Sequence, residues 1–387
     1  MFDNIAERAG LDGISMAAAY HHGRDIFPHS PNRKVRFLDG GTIFFQPDTS
    51  LYPESLKPIV GDVAVDRDVL GEAVVEAGRR TLAVHAWTVY LHNTRLGSLH
   101  PDVTTHNAFG DPYHSDLCPS HPSVQAFARG LTTDIASRGV NSIIAESLHF
   151  GLFQHGHHHE RYFLELGSLA THLFGLCFCH HCTAAGERNG VDVERVRQFV
   201  VTMLESIFEG GPPVGSVELD RDEVRASVEG EMGRFLDARA ATVTALTKEV
   251  VDCAREHGCR LAFIEPSGAM KGYAAGLPTG SAAPESAWMF GTDVVGIAAV
   301  ADIEAVGYAA DPERVRFDLE AYRSMLGDDS ELSVALRPMY PDCDDADNLI
   351  AKLRHASDLG VTRADFYHYG FMPLSMLDRL RTAMEGL

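Results

Sequence analysis

Short apolar segments alternate along the chain with longer segments in which apolar residues recur every three or four positions. The short runs are typical of parallel strands buried on both faces, whereas the longer ones are typical of amphipathic helices. The pattern predicts four long helices, over residues 122–139, 231–258, 311–327 and 345–360. It predicts eight strands, over residues 13–20, 41–46, 81–90, 141–150, 259–267, 293–301, 331–340 and 363–370.

Eight strands that alternate with helices predict a single (β/α)8 barrel, the TIM-barrel architecture, over residues 1–387. A doubly wound open sheet is the alternative, and it is disfavoured because no G-x-G-x-x-G turn follows the first strand. A long insertion is predicted over residues 151–230, between the fourth strand and the helix that returns from it. On a barrel, such an insertion would lie at the catalytic face.

Composition and charge narrow the class of protein. With 45% hydrophobic and 22% charged residues, the chain has the composition of a soluble globular protein. Its formal net charge of −21 argues against nucleic acid or an anionic membrane as a partner. We expect a small-molecule or oligosaccharide substrate instead, and the sequence leaves association into a homo-oligomer open.

The cellular compartment is predicted from two kinds of segment, a secretion signal and a membrane span, that the sequence is not expected to contain. Its first residues do not form a secretion signal, and no apolar run reaches the roughly 18–20 residues that a membrane span needs. We therefore expect a reducing cytoplasm, where clustered cysteines are more often metal ligands or catalytic groups than disulfides.

Three of the seven cysteines occur in the segment LCFCHHC, and a fourth precedes the helix that leads into the fourth strand. Four thiolates form a closed tetrahedral set that suits Zn²⁺ and leaves no open position, so the site would be structural. The predicted ligands are Cys118, Cys177, Cys179 and Cys182. His180 or His181 could replace one of them, and reduced thiols that pack without metal are the other alternative.

Part of the chain resembles a known family. Cys118-Pro119 ahead of a helix, a strand that ends at Glu146, and the C-x-C-x-x-C segment resemble the zinc-bearing β-galactosidases of glycoside hydrolase family 42. The resemblance covers roughly residues 100–185, and more broadly it extends to barrel glycosidases. It implies that Glu146 is the general acid/base. Two features depart from the family: Ala145 stands where an Asn is usual, and the seventh strand, ALRPMY, lacks the nucleophilic Glu.

Active sites of barrels lie at the carboxyl ends of the strands, so residues at these ends are the other candidates for the active site. Glu265 ends the fifth strand and is the predicted second carboxylate, with a salt bridge to Arg337 as the alternative role. Polar and aromatic residues near these strand ends are predicted to bind substrate: His21, His22, His85, Trp87, Asn93, His155, Arg337, Asp365 and His368.

The segment FQHGHHHERY contributes a run of histidines just beyond Glu146. His155 and His159 could hold a catalytic metal with Glu160, although the segment lacks the H-E-x-x-H pattern of metalloproteases. The leading prediction is therefore a glycoside hydrolase-like enzyme with carboxylate acid/base catalysis. The alternatives are a metal-dependent isomerase, lyase or hydrolase that uses the histidines, and a catalytically silent sugar-binding barrel.

Overall fold

The computed structural model describes residues 1–154, 161–214, 219–272 and 280–387. Thirteen strands are present in these ranges: β1 (Gly13–Tyr20), β2 (Gly23–Ile26), β3 (Val35–Leu38), β4 (Thr42–Ile43), β5 (Ile59–Val60), β6 (Ala83–Val89), β7 (Thr104–His106), β8 (Pro112–Leu117), β9 (Ser142–Glu146), β10 (Arg260–Glu265), β11 (Asp302–Val306), β12 (Leu332–Leu336) and β13 (Arg363–Phe366).

The α-helices in the same ranges are α1 (Val69–Gly78), α2 (Thr94–Leu99), α3 (Pro122–Ala136), α4 (Gly167–Phe174), α5 (His180–Arg188), α6 (Val193–Phe208), α7 (Arg221–Ala226), α8 (Glu231–Glu256), α9 (Ser267–Gly272), α10 (Val294–Ala298), α11 (Pro312–Leu326), α12 (Ala346–Asp358) and α13 (Ser375–Glu385). The four long helices predicted from periodicity are confirmed as α3, α8, α11 and α12. Within the part of the chain described, no helix combines the length and apolarity needed to cross a bilayer.

One large sheet organises the molecule. Its strand order is β13-β12-β11-β10-β9-β6-β1-β4-β5, and every neighbouring pair is parallel except β1 and β4. The sheet curls until the side chains of its first and last long strands meet, since Ser15 Oγ donates to Asp365 Oδ1 at 3.0 Å. Backbone hydrogen bonds do not join β1 to β13 in the described residues. The predicted closed (β/α)8 barrel is therefore corrected to an open, barrel-like sheet of seven parallel strands.

Two predicted strands differ from the observed ones. Within residues 293–301 the chain forms the short helix α10 (Val294–Ala298), in which Val294 and Ile297 are buried and Val295 between them is exposed, and the parallel strand β11 follows. The segment 41–46 supplies only the two-residue strand β4, which runs antiparallel to β1. In both cases a short apolar run was compatible with either element, and tertiary packing decided between them.

The parallel strands carry different side chains on their two faces. Trp87, Ile144, Ile264 and Val306 pack together on the concave face of the sheet, which is the barrel interior. Ile143 and Phe263, one position away on the same strands, belong to the main core on the helix-covered face. Successive side chains along each strand thus point alternately to the barrel interior and to the helix layer.

Helices α4–α7 lie between β9 and α8, within the predicted insertion. Helices α4, α6 and α7 share a second apolar core that includes Leu173, Val200 and Leu204, together with Phe235 of α8. Because α8 also packs against α3 and β10, it connects this second core to the barrel. The bounds of the insertion at residues 151 and 230 remain a prediction.

Candidate functional site

Glu146 ends β9 with its side chain on the barrel-interior face, the same face as Ile144 two positions earlier. The indole Nε1 of Trp87, on the adjacent strand β6, donates a hydrogen bond to the Glu146 carboxylate. The carboxylate is partly buried, so it can meet a ligand that enters from the carboxyl ends of the strands. This pair forms the centre of the candidate site.

Two tyrosines face each other beside this pair. The hydroxyl groups of Tyr20 and Tyr367 lie 2.8 Å apart, and the ring of Tyr367 is 5.8 Å from that of Trp87. Burial raises the pKa of Tyr20 well above its usual value, and the negative charge of Glu146 raises it further. Tyr20 therefore stays protonated, so its hydroxyl can donate a hydrogen bond and does not act as a nucleophile. Tyr20 was not predicted as a site residue, because an aromatic residue that ends an apolar strand gives no signal of its own.

Arg337 follows β12 at the same end of the sheet. Its guanidinium lies 4.2 Å from the ring centre of Tyr308, and its Nε donates to the buried carboxylate of Asp342. Burial raises the pKa of Asp342, and the charge of Arg337 opposes that rise. The structure thus brings Arg337 to the aromatic residues of the site, with Asp342 as its ionic partner.

Histidines border this group on the β1 side. His21 stacks on the ring of Tyr20 at 4.5 Å, and the ring of His92 is 5.5 Å from His21 and 6.3 Å from His22. The ring of His92 in turn lies beside Asp116, with 3.8 Å between Nδ1 and Oδ1. His92 and Asp116 were not predicted, because they become neighbours only when β8 lies beside the loop that follows β6.

Two predicted substrate-binding residues lie one layer deeper in the barrel. His85 precedes Trp87 on the interior face, where its Nδ1 is 2.7 Å from Ser142 Oγ. Burial lowers the pKa of His85. Asp365 pairs with Arg363, with 2.7 Å between Oδ2 and Nε, and Arg363 also contacts the buried Glu304. This polar layer is separated from Glu146 by the side chains of Trp87 and its neighbours.

Three further predictions have different surroundings. Asn93 caps helix α2 by accepting a hydrogen bond from Leu96 N at 2.9 Å. His368 follows Tyr367, and burial lowers its pKa to about 4. The predicted residue His155, with the rest of the histidine run, lies outside the described residues.

Glu265 is not brought together with Glu146. Glu265 lies two positions after Phe263 on β10, so its side chain points to the same side of the sheet. That side is the helix layer, where Glu265 is fully buried. There it accepts hydrogen bonds from the Tyr322 hydroxyl of α11 and from Ser267, whose Oγ lies at 2.6 Å. Burial raises the pKa of Glu265 to about 7, against the lowering effect of these hydrogen bonds. The two predicted carboxylates thus lie on opposite faces of the sheet.

The four cysteines predicted as metal ligands form one buried cluster. Their sulfur atoms all lie within 4.8 Å of one another. The Sγ atom of Cys118 is 3.9 Å from that of Cys177 and 3.5 Å from those of Cys179 and Cys182. Zinc–sulfur bonds of about 2.3 Å in a tetrahedron would separate the sulfurs by about 3.8 Å, so the cluster has the size and the donor set of a metal site.

The pKa values of the thiols in the cluster are shifted in opposite directions. Hydrogen bonds from the other thiols, that of Cys118 foremost, lower the pKa of Cys179. Burial raises the pKa of Cys118 well above its usual value. Without a cation, four thiolates would repel one another in a buried site, whereas a bound divalent ion stabilises all four.

Comparison with known proteins gives the fold a context. No family model matches the chain, and no curated protein is detectably similar in sequence. Among solved structures, α-L-fucosidase isoenzyme 2 from Paenibacillus thiaminolyticus superposes with a TM-score of 0.52 at 10% identity, over 99% of this chain and 45% of that chain.

Two β-galactosidases are also similar. The enzyme from the psychrophilic Marinomonas ef1 gives a TM-score of 0.49 at 13% identity, over 82% of this chain and 51% of that chain. The enzyme from Rahnella sp. R3 gives 0.47 at 12% identity, over 94% and 47%. The chain spans about half the length of these proteins. At 10% identity the likeness to the fucosidase concerns the fold alone, and that fold is glycoside hydrolase-like.

Proposed function

We propose that this protein is a glycoside hydrolase-like enzyme that acts on a carbohydrate, with Glu146 as the general acid/base. The observation that carries the proposal is the Glu146 carboxylate at the carboxyl ends of the strands, hydrogen-bonded by Trp87 and flanked by the hydroxyls of Tyr20 and Tyr367. A carboxyl group in such a partly apolar site can donate its proton to a glycosidic oxygen and recover it from water.

The surroundings of Glu146 suit a sugar. Ligand sites combine apolar and aromatic walls with a few polar groups that fix orientation, and here the rings of Trp87, Tyr308 and Tyr367 supply the walls. Arg337 and His21, both predicted to bind substrate, are the polar groups that would orient hydroxyls. His85 and Asp365 would act indirectly, by keeping the polar layer beneath Trp87 in place.

The second carboxylate is the point at which the proposal departs from ordinary two-carboxylate hydrolysis. Glu265 was predicted for that role, yet its hydrogen bonds to Tyr322 and Ser267 hold it in the helix layer. We propose that Glu265 joins β10 to α11 and that Glu146 is the carboxylate that meets the substrate. A mechanism through Glu265 would require its side chain to cross to the other face of the sheet.

We further propose that Cys118, Cys177, Cys179 and Cys182 hold one structural Zn²⁺ and that the reducing cytoplasm keeps their thiols available. The support is the distance and donor set of the cluster. Four protein ligands leave no position for substrate, so the ion would fasten the segment after α4 to the loop before α3. The cysteine cluster is the feature that resembles glycoside hydrolase family 42. The carbohydrate site is proposed on the basis of Glu146 instead.

The test is a turnover screen on aryl glycosides and short oligosaccharides, with Glu146→Gln as the variant. Loss of general acid/base catalysis should lower kcat by about 10²- to 10⁴-fold. Glu256→Gln is the matched control, because Glu256 is an exposed glutamate at the far end of α8 and should leave kcat unchanged. Turnover that survives Glu146→Gln would refute the assignment of Glu146.

A sugar-binding barrel without turnover is the second candidate, and the position of Glu265 favours it. This candidate predicts that sugars bind by calorimetry, that no glycoside is hydrolysed, and that Glu146→Gln changes affinity only modestly. A second metal in addition to one zinc per chain, with turnover lost on chelation, would instead support a metal-dependent enzyme that uses the histidine run.

A further inference from the structure

Arg239 is a buried cation without hydrogen-bond partners. It lies on α8 with 3% of its surface exposed, and none of its three guanidinium nitrogens has a hydrogen-bond partner in the described residues. The guanidinium lies over the face of Phe150, with 4.4 Å from its carbon to the ring centre. A buried charge is costly unless an opposite charge lies close to it, so this residue requires a counter-charge.

Among the described residues, no carboxylate accepts a hydrogen bond from Arg239. Burial lowers the pKa of Arg239 to about 10, and the groups that raise it again are the thiols of Cys182, Cys177 and Cys118. The neighbouring His172 is itself 4% exposed. Burial, followed by the charge of Arg239, lowers the pKa of His172 to about 3, so this imidazole is neutral.

Packing explains why Arg239 lies beside the cysteine cluster. Phe178, between two of the four cysteines, stacks on Phe235 of α8 with 5.2 Å between ring centres and 10° between planes. Arg239 follows Phe235 by one helical turn and therefore lies on the same face of α8. Helix α5, which begins immediately after Cys179, also packs against α8.

The charge of the cluster depends on metal. If all four thiols are protonated, the cluster carries no net charge and leaves Arg239 uncompensated. Four thiolates around a divalent ion carry −4 and +2, which leaves −2 in a site from which water is excluded. A buried cation close to the loaded cluster is stabilised by it and stabilises it in return.

We propose that Arg239 is the buried counter-cation of the metal-loaded cysteine cluster and so raises its affinity for zinc. The inference rests on the metal site proposed above. A solvent-borne anion is a less suitable partner, because the groove beside His172 is lined by several acidic side chains, among them Glu165, Asp220 and Glu223.

The experiment measures zinc affinity by competition with a chromogenic chelator. Arg239→Met removes the charge and keeps an apolar chain of similar length, and it should weaken zinc binding about 10- to 100-fold, as loss of an outer-shell partner does. Arg239→Lys keeps the charge and should stay close to the wild-type affinity. Arg234→Met, at an exposed position of the same helix, is the matched control and should leave the affinity unchanged.

Thermal unfolding of the metal-free and zinc-loaded proteins separates this role from simple packing. Metal-free Arg239→Met should be at least as stable as metal-free wild type, because an uncompensated charge has been removed. Equal loss of stability with and without zinc, or equal zinc affinity in wild type and Arg239→Met, would overturn the proposal.

Two further outcomes distinguish failure of the metal site from failure of the role proposed for Arg239. If elemental analysis finds no zinc in the wild type and the wild type does not bind it, the metal site itself is refuted and the role of Arg239 with it, whereas the assignment of Glu146 is unaffected. If inorganic phosphate stabilises the metal-free wild type but not metal-free Arg239→Met, then Arg239 binds a solvent anion, which also overturns the proposal.

Discussion

The carboxyl group of Glu265 is fully buried, and its burial couples proton binding to folding. Its pKa is about 7 in the folded protein, whereas the usual value is 4.5. The folded state therefore holds this proton more tightly than the unfolded state does. The resulting stabilisation is fully present below pH 4.5 and is lost as the pH rises through 7.

This linkage gives a prediction for Glu265→Gln. Glutamine resembles the protonated carboxyl group, and the Tyr322 hydroxyl can accept a hydrogen bond from its amide. Between pH 5 and pH 8, the wild type should lose up to about 3 kcal/mol of unfolding free energy relative to the variant. Urea unfolding at several pH values measures the difference. Parallel pH profiles for the two proteins would contradict a raised pKa, and Glu256→Gln provides the exposed control.

Glu146 and Glu265 also show how far a sequence determines a site. Both end apolar strands, in SIIAE and RLAFIE, and each strand is buried on both faces. Since neither strand alternates between polar and apolar residues, the sequence predicts that both carboxylates lie at the carboxyl end of the sheet but not on which face. The predicted cysteine cluster is confirmed, because four thiols with this spacing have few roles other than metal binding.

At the scale of elements, helix α2 depends on Asn93. Asn93 Oδ1 accepts from Leu96 N at 2.9 Å, and its Nδ2 donates to Gly41 O at 3.3 Å. Gly41 has a φ of +64°, and a Cβ atom there would lie 1.7 Å from Asn93 Oδ1. The asparagine thus joins the start of α2 to the turn before β4.

Replacement of Asn93 by alanine should therefore lower the unfolding free energy by about 1–2 kcal/mol, with Asn93→Ser close to wild type because serine can cap the helix. Urea unfolding measures both effects. If instead Asn93→Ala raised KM without a change in stability, the substrate-binding role predicted from sequence would be supported.

The segment 293–306 shows why the type of an element is hard to predict from a local pattern. Residues 293–301 are almost continuously apolar and were predicted as a strand, yet the buried Val294 and Ile297 have helical spacing. The strand β11 follows at once, with Asp302 and Glu304 among its residues. Glu304 fits a buried strand because Arg363 and Ser333 both bind its carboxylate, and these contacts between distant residues cannot be predicted from a local pattern.

At the scale of the whole molecule, the cysteine cluster joins the helices after β9 to the barrel. Cys118 precedes α3, whereas the other three cysteines lie between α4 and α5 or within α5. A zinc ion bound here would stabilise the folded protein alone, because the unfolded chain does not hold the four ligands together.

Cys118→Ser should therefore lower the zinc content from about one ion per chain and lower the thermal midpoint. If free zinc stands about 1,000-fold above its Kd, the ion contributes about 4 kcal/mol. Elemental analysis and thermal unfolding measure these effects, with Cys343→Ser, a cysteine outside the cluster, as the control. Chelation that changed neither quantity would show that the thiols pack without metal.

The meeting of β1 and β13 has a consequence for protein synthesis. The hydroxyls of Tyr20 and Tyr367, which flank Glu146, are 347 residues apart in the chain. At 5–20 residues per second, a ribosome needs roughly 20–70 s to add the second tyrosine after the first. During that interval Tyr20 and β1 have no β13 to face, so one side of the candidate site lacks its partner in the nascent chain. A chaperone or the ribosome surface would meet this open edge before any substrate does.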